Sequence, residues 1–415
     1  MKVLWITNIV FPEAERLMTG AGELKCSGGW MLGAANALVD RDDVILYVAA
    51  VSPEVTCLTK LVGEKITYYI IPAGKGNTDY NLDYCPYWKR IKDEINPDVV
   101  HIHGTEYSHG YAYMKACGND NVVISIQGLT SVYSYYYYFG ISKKDIYCNL
   151  TFKDLIRGTI IHGKNRFKSM GRYEIEMIQM AKHIIGRTSW DRSHVWAINP
   201  NAEYHFCNET LRPEFYTGDQ WRYENCSKHS IFLSQAGYPV KGLHQVLKAM
   251  PLILRHYPDT TIRVAGGNIT KSETIGDKLR LSGYGRYIKR LIEAYNLDGK
   301  IIFTGNLNAE QMKQEYLRTN VFICPSTIEN SPNSLGEAQI LGTPCVASYV
   351  GGIPDMMKGN EDNLYRFEDV EMLAEKVCQV FANLEKQPDM SGAAKRRHDP
   401  DDNRNRLLEI YNQIK

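Results

Sequence analysis

The regular alternation of short apolar runs with helical patterns constrains the fold of this chain more than any other feature. The runs are apolar throughout, instead of alternating apolar and polar residues, which is typical of strands buried on both faces of a parallel sheet. The predicted strands are Val3–Thr7, Val44–Ala49, Thr67–Ile71, Val99–His103, Val122–Ile126, Ile231–Ser234, Thr261–Ala265, Ile301–Thr304, Val321–Cys324 and Cys345–Ser348.

Amphipathic stretches separate these strands and predict helices. One example is the stretch Leu243–Leu254, in which every third or fourth residue is apolar, so that one face of a helix is apolar. Repeated strand–helix alternation predicts an α/β class with doubly wound sheets. The alternation occurs twice in 415 residues, which predicts two domains.

The periodic pattern is lost between Asn199 and Asp219, and this predicts the domain boundary. We therefore expect an N-terminal domain over 1–199 and a C-terminal domain over 200–398. Residues 399–415 read as a capped helix with Leu407, Leu408 and Tyr411 on one side. We expect this terminal helix to pack back toward the N-terminal domain.

Composition excludes several function classes. The formal net charge is only +1, so no overall basic field favours nucleic acid. Ten cysteines occur without a C-x-x-C pair, which favours reduced thiols over a zinc site or a disulfide framework. The first residues lack the pattern of a signal peptide and no apolar stretch is long enough to span a bilayer, so a cytoplasmic protein is expected.

The segment Val321–Asp355 is the most informative for chemistry. A buried strand leads into a polar loop with Glu329, and a helix is predicted to begin near Ser334 with Glu337 in its first turn. Free backbone N–H groups at 333–336, including those of Asn333, Ser334 and Leu335, form an anion site at such a position. A diphosphate fits there, with Glu337 on ribose hydroxyls and Glu329 on a sugar.

Each of these residues has an alternative interpretation from spacing alone. Ser334 and Glu337 also have the spacing of a capping box, in which the glutamate only satisfies its own helix backbone. Glu329 could equally be a solvated loop carboxylate.

The same segment resembles glycosyltransferase family 4. The resemblance rests on two glutamates separated by seven residues and on a set of residues in register with them: Glu329, Pro332, Asn333, Glu337, Ala338, Gly342, Pro344, Gly351, Gly352 and Pro354. It implies a GT-B fold, with two Rossmann-like domains facing each other across a cleft, and retention of anomeric configuration. It also implies no metal and no cofactor beyond the nucleotide diphosphate sugar.

A second match to this family is Lys241-Gly242, after the predicted strand Ile231–Ser234. Lys241 would stabilise the negative charge of a departing diphosphate; the alternative is a solvated lysine near a helix start. Family members usually carry an arginine before this lysine, where Gln235 stands here. Arg187 is a candidate for the missing cation.

In the N-terminal half, Gly28 and Gly29 occupy the place of the family's glycine-rich loop, although they also fit a simple helix-start turn. His103 ends the predicted strand Val99–His103, where ligands of α/β sheets bind. It is interpreted either as a sugar contact or as a hydrogen-bonded structural histidine. Gln127 stands where the family usually has a histidine that contacts the donor sugar.

The stretch Val132–Arg172 is aromatic and then basic. Such a surface suits anionic lipid headgroups or a lipid-diphosphate acceptor, and hence peripheral membrane contact. A solvated insertion with its tyrosines on the core explains the same residues.

The combined expectation is a retaining glycosyltransferase of the nucleotide-sugar-dependent, hexosyltransferase type. Its partners would be a nucleotide sugar and a glycan or polyprenyl-linked acceptor, in surface polysaccharide synthesis at the inner face of a membrane. Two alternatives keep the fold: a nucleotide-sugar 2-epimerase, and a non-catalytic glycan-binding relic suggested by Gln235 and Gln127.

Overall fold

The computed structural model describes residues 1–20, 29–73, 82–382 and 389–415. These residues form two compact units, each built around one largely parallel sheet. Unit 1 comprises Met1–Ser134, Arg166–Arg212 and Arg397–Lys415, and unit 2 comprises Tyr135–Asn165 and Pro213–Arg396.

The elements follow in chain order. The strands are β1 (Lys2–Ile6), β2 (Ile45–Ser52), β3 (Thr59–Val62), β4 (Thr67–Pro72), β5 (Val99–His103), β6 (Val122–Ser125), β7 (His183–Gly186), β8 (Glu203–Phe206), β9 (Ser230–Leu233), β10 (Thr261–Val264), β11 (Ile301–Phe303), β12 (Val321–Cys324), β13 (Cys345–Ser348) and β14 (Leu364–Tyr365). The helices are α1 (Pro12–Thr19), α2 (Gly29–Val39), α3 (Cys85–Ile95), α4 (Ser108–Cys117), α5 (Thr130–Tyr136), α6 (Lys143–Cys148), α7 (Phe152–Arg157), α8 (Ile160–Met180), α9 (Ser189–Ile198), α10 (Leu243–His256), α11 (Ile275–Arg280), α12 (Gly283–Ala294), α13 (Ala309–Arg318), α14 (Asn333–Ile340), α15 (Ile353–Met356), α16 (Val370–Ala382), α17 (Ser391–Arg397) and α18 (Pro400–Ile414).

The sheet of unit 1 has the strand order β3-β4-β2-β1-β5-β6-β7-β8, and all of its pairs are parallel except β3 with β4. The strand order reverses between β1 and β5, so this point is a topological switch point. Helices cover both faces of the sheet, and each face has its own apolar core.

The sheet of unit 2 has the order β11-β10-β9-β12-β13-β14, and its strands are all parallel. Its switch point lies between β9 and β12. The core of this unit is formed by buried residues such as Ile231, Leu247 and Val377. The predicted α/β class with two doubly wound sheets is therefore confirmed.

Four strands, β3, β7, β8 and β14, were not predicted from the sequence, and their sequences explain why. β3 and β8 lie at edges of the sheet and carry exposed residues, so they lack a continuous apolar run. β14 is only two residues long, which leaves too few positions to show a period. β7 begins with His183 and ends with Gly186, so its apolar run is only two residues.

The predicted domain division differs from the structure in three places; the smallest difference is that unit 1 resumes at Arg397 and not at residue 399. The boundary lies at 212–213 instead of 199–200, because β8 continues the sheet of unit 1 after Asn199. The segment 135–165 also belongs to unit 2, since Ile141 and Ile146 are buried in the core of that unit.

The terminal helix α18 packs against the sheet of unit 1 through Tyr411, which is fully buried. Trp5 Nε1 donates to the Tyr411 hydroxyl at 2.9 Å. That hydroxyl lies 2.6 Å from His101 Nδ1, and His101 Nε2 lies 2.6 Å from the Ser125 hydroxyl. The network implies that Tyr411 donates to Nδ1 and that Nε2 carries the imidazole proton.

We expect Tyr411→Phe to lower the free energy of unfolding by about 1 to 3 kcal/mol, because it leaves two buried partners without their hydrogen bond. Denaturant unfolding measures the change. Tyr113→Phe is the matched control, since the Tyr113 hydroxyl is buried without a hydrogen-bond partner among the described residues. Equal effects of the two substitutions would contradict the assigned network.

Candidate functional site

The loops that follow β9 and β12 meet at the switch point of unit 2. Neighbouring parallel strands place their carboxyl ends together, and loops at a switch point leave a crevice there. The crevice contains a small pocket. Its lining comes from both loops, from both strand ends and from α14: Leu233, Ser234, Gln235, Lys241, Ile323, Cys324, Pro325, Ser326, Glu329 and Ser334.

Lys241 and Glu329 form an ion pair in this pocket. Lys241 Nζ donates to Glu329 Oε1 at 2.6 Å, and the two side chains are 17% and 11% exposed. Burial lowers the pKa of Lys241, but the Glu329 carboxylate outweighs this effect and raises the pKa above its ordinary value. The lysine is therefore charged, and the alternatives of a solvated lysine and a solvated carboxylate are wrong.

Two glycines allow the Glu329 loop to lie where it does. Gly242 has φ +72°, and a Cβ built on it would lie 1.7 Å from the Pro325 carbonyl oxygen. Gly351 has φ +53°, and its Cβ would lie 1.8 Å from the Glu329 carbonyl oxygen. Any other L residue at either position would be strained and would displace the loop.

Hydrogen bonds hold the same loop from both sides. The Thr327 amide donates to the Val240 carbonyl at 2.8 Å, and the Gly352 amide donates to the Glu329 carbonyl at 3.0 Å. The Ser326 hydroxyl donates to Glu329 Oε1 at 3.0 Å, so this oxygen accepts from both a hydroxyl and an ammonium group. The carboxylate is thus fixed in position before any ligand binds.

The helix α14 begins at Asn333 with Pro332 as its N-cap, and no side chain caps it. The capping-box alternative for Ser334 is therefore wrong, because Ser334 lies inside the first turn. The amides of Leu335 and Gly336 donate to the Pro332 carbonyl. The expectation that all four N–H groups at 333–336 are free to bind an anion is therefore wrong for these two. Asn333 and Ser334 hold the first two helical positions, which precede these bonded amides.

Glu337 lies in the second turn of α14 instead of the predicted first turn. Its side chain is buried, and the Tyr316 hydroxyl lies 3.5 Å from Glu337 Oε2. The same helix thus carries the pocket residue Ser334 and a buried carboxylate one turn further along.

In unit 1, His103 lies at the carboxyl end of β5 and is 4% exposed. Its ring stacks on His101 at a centroid distance of 3.8 Å and lies 4.4 Å from the Trp5 ring centroid. Neither ring nitrogen has a hydrogen-bond partner among the described residues, so the alternative of a hydrogen-bonded structural histidine is wrong. Burial lowers the pKa of His103 to about 3, and the imidazole is neutral near pH 7.

Arg187 and Gln127 belong to one buried network of unit 1. Arg187 forms an ion pair with Glu209 and donates to the Ile126 carbonyl at 2.7 Å. Gln127 Nε2 donates to Glu209 Oε1 at 2.8 Å, and Arg187 donates to Gln127 Oε1 at 3.3 Å. The charge of Arg187 is therefore already balanced within unit 1, which argues against this residue as the missing cation.

Gly29 is the first residue of α2, and Gly28 lies outside the described residues. The position of Gly29 at a helix start is the one expected from the interpretation as a helix-start turn.

Sequence reasoning missed Glu106, which follows β5 near the switch point of unit 1. Its Oε1 accepts from the Gly128 amide at 3.2 Å, and its Oε2 lies 3.4 Å from Asn8 Nδ2. Burial, with a smaller effect of the nearby Glu174 carboxylate, raises the pKa of Glu106 to about 7. Its position three residues beyond a strand end was the signal that could have identified it.

Comparison with known proteins adds a family match in unit 2. Residues 225–397 match the family model described as "Glycosyl transferases group 1". An uncharacterized glycosyltransferase of Methanocaldococcus jannaschii is 25% identical over 138 residues, which are 33% of this chain and 31% of that protein. A GDP-mannose-dependent phosphatidylinositol monomannoside mannosyltransferase of Mycolicibacterium smegmatis is 24% identical over 153 residues, 35% of this chain and 36% of that protein. The matches thus span about a third of these relatives.

Solved structures are similar over the whole chain. A sucrose-phosphate synthase from Thermosynechococcus elongatus has a TM-score of 0.70 at 15% identity and covers 100% of this chain and 98% of its own. The Anabaena protein HepE, solved in complex with UDP, has a TM-score of 0.64 at 13% identity, with both chains covered fully. The fold is therefore GT-B, with two Rossmann-like units.

We expect Gly351→Ala to destabilise the protein more than Gly342→Ala. Gly342 also has a left-handed φ of +77°, but a Cβ there would meet nothing within 4 Å, so only the backbone strain of about 1 to 2 kcal/mol applies. Gly351→Ala adds a clash with the Glu329 carbonyl and should cost at least about 1 kcal/mol more. Denaturant unfolding of both variants measures the difference, and equal losses would show that the loop is not held at Gly351.

Proposed function

We propose that this protein is a retaining glycosyltransferase that moves a sugar from a nucleotide diphosphate donor to a glycan or lipid-linked acceptor. The observation that carries the proposal is the switch-point pocket of unit 2, where a buried ammonium, a fixed carboxylate and a helix N-terminus converge. The family match covers all three features, and HepE, which has the same fold, was solved with UDP.

The pocket suits a donor with a diphosphate and a sugar. Lys241 and the first amides of α14, at Asn333 and Ser334, supply positive charge for the diphosphate. Glu329 accepts hydrogen bonds from sugar hydroxyls, and Glu337 does so from the ribose. An anion that binds Lys241 competes with Glu329 for the ammonium, which frees this carboxylate for the sugar.

The proposed reaction is a front-face substitution without a metal. The bond between the anomeric carbon and the diphosphate oxygen breaks, and the acceptor oxygen bonds to the same face of that carbon. The acceptor proton passes to the departing diphosphate oxygen. Lys241 stabilises the charge that grows on this oxygen, which lowers the barrier because the interaction strengthens in the transition state.

His103 and Gln127 are proposed as hydrogen-bonding contacts to substrate from unit 1. His103 is neutral and has unused ring nitrogens, so it would orient a hydroxyl and not transfer a proton. To contact the substrate, Gln127 would have to exchange its hydrogen bond to Glu209 for one to a substrate hydroxyl. Gly28 and Gly29 would allow backbone to approach the ligand.

A basic and apolar surface on unit 2 favours a lipid-linked acceptor in surface polysaccharide synthesis and contact with the inner face of a membrane. No helix among the described residues is long and apolar enough to cross a membrane. The helices α7 and α11 pack against each other, and both of them, like the preceding helix α6, carry large exposed apolar side chains. These are Tyr147, Phe152, Leu155, Ile156, Ile275 and Leu279.

The charged groups of these three helices are arranged asymmetrically. Asp145, Asp154 and Asp277 accept hydrogen bonds within their own helix N-termini. The basic residues Lys143, Lys144, Arg157, Lys278 and Arg280 are exposed. Apolar side chains surrounded by exposed cations suit insertion into an anionic lipid interface.

We expect Lys241→Met to reduce turnover by about a hundredfold or more at saturating donor, the usual scale for one preorganised electrostatic contact. Donor affinity should weaken less than turnover, and Lys241→Arg should restore only part of the rate. Steady-state kinetics with a nucleotide-sugar panel and an acceptor measure both quantities. Product from donor alone, without acceptor, would instead favour the 2-epimerase alternative.

The control for this experiment separates catalysis from folding. Lys241→Met leaves the Glu329 charge buried without a partner, which destabilises the fold. The thermal stability of this variant is therefore compared with that of Lys241→Met/Glu329→Gln, in which the charge is removed as well. Lys313→Met is the matched lysine control, because Lys313 is also buried in unit 2 but does not line the pocket. Unchanged turnover in a folded Lys241→Met variant would reject the catalytic assignment.

We expect the full chain to bind vesicles that contain phosphatidylglycerol and to bind phosphatidylcholine vesicles weakly, with binding reduced by salt. Leu155→Glu/Ile156→Glu should lower the affinity about tenfold or more, since two apolar side chains no longer enter the interface. Co-sedimentation measures the bound fraction. Val62→Glu is the matched control, because Val62 is 72% exposed on unit 1, and an equal loss in that variant would contradict the assigned surface.

A further inference from the structure

Two histidines and a glutamate cluster at the amino ends of β7 and β8 in unit 1. His183 and Glu203 are paired in the register of the parallel strands. His205 follows Glu203 by two residues, so its side chain lies on the same face of the sheet. This end of the sheet is opposite to the carboxyl ends that carry His103 and Gln127.

The distances within the cluster fit a single metal ion. His183 Nδ1 lies 3.1 Å from His205 Nε2 and 3.5 Å from Glu203 Oε2. The three possible ligand atoms all lie within 4.8 Å of one another. With zinc–ligand bonds of about 2.0 to 2.2 Å, one ion would bridge the His183–His205 separation at a ligand–zinc–ligand angle of roughly 100° and the His183–Glu203 separation at roughly 110°. Both angles are close to tetrahedral.

The surroundings of the cluster leave room for a cation. His205 is 3% exposed, and the nearest positive charge is that of Arg406. Arg406 pairs with Glu409 at 3.0 Å and donates to the Phe206 carbonyl at 3.1 Å, so part of its charge is compensated. The Glu203 side chain is 60% exposed and can turn toward a cation at little cost.

We propose that His183, Glu203 and His205 form a binding site for a divalent transition metal of the zinc class. Two imidazoles and one carboxylate supply three protein ligands, with water in the fourth position. The ion joins β8, the edge strand of the sheet, to β7. Because water holds the fourth position, the site is of the open kind, and it is separate from the sugar-transfer pocket in unit 2.

The test is titration of the full, EDTA-treated chain with zinc in a calorimeter, together with the cobalt absorption spectrum. We expect one ion per chain and visible bands of nitrogen and oxygen ligands. His183→Ala should abolish this binding, and Glu203→Gln should weaken it at least about tenfold. His229→Asn is the matched control, since His229 pairs with Asp259 but belongs to no such cluster among the described residues.

Stability and pH dependence provide two further measurements. Zinc at a hundredfold excess over its dissociation constant should raise the melting temperature by roughly 3 °C or more, and His183→Ala should remove this shift. Affinity should fall on acidification, because protons compete for the imidazoles. Absence of zinc binding to the unsubstituted chain would overturn the proposal. So would binding that survives in His183→Ala/Glu203→Gln with a thiolate charge-transfer band, which would place the ion on cysteines.

Discussion

The loop from Pro325 to Glu329 in unit 2 is held against two glycines, and the candidate site depends on this contact. Gly242 approaches the carbonyl of Pro325 and Gly351 approaches that of Glu329, both at distances that exclude a Cβ. Backbone that is packed against backbone cannot adjust by rotating a side chain. The Glu329 carboxylate is thus positioned by the packing of three loops, which follow β9, β12 and β13.

This position brings Glu329 within 2.6 Å of Lys241, and the pair is a consequence of the loop packing. Burial of two charges costs desolvation, which is offset only when the charges meet each other and further hydrogen bonds. Ser326 supplies one such bond to the same carboxylate oxygen. The ammonium is therefore charged and is held in place by a carboxylate that is itself fixed.

Unit 1 positions its switch-point residues in the same way, by buried polar contacts. Glu174 on α8 is fully buried and accepts hydrogen bonds from Thr105, Thr130 and Ser131. These bonds fix the segment after β5 and the start of α5. The hydroxyl of Tyr411 joins Trp5 and His101 across a sequence separation of more than three hundred residues, so the chain terminus contributes to the order of the sheet.

The sequence by itself determined the α/β class, most strands and three residues of the unit 2 pocket, Lys241, Glu329 and Ser334, because strand periodicity and the Glu329 and Lys241 motifs are local patterns. The tertiary structure alone decided which alternatives hold. Whether Lys241 is solvated or paired, and whether Ser334 caps its helix, depends on burial and on the helix start, which spacing does not specify. The boundary between the units at 212–213 and the cluster of His183, Glu203 and His205 both depend on the pairing of β7 with β8. A linear pattern carries no signal for pairing between separate segments.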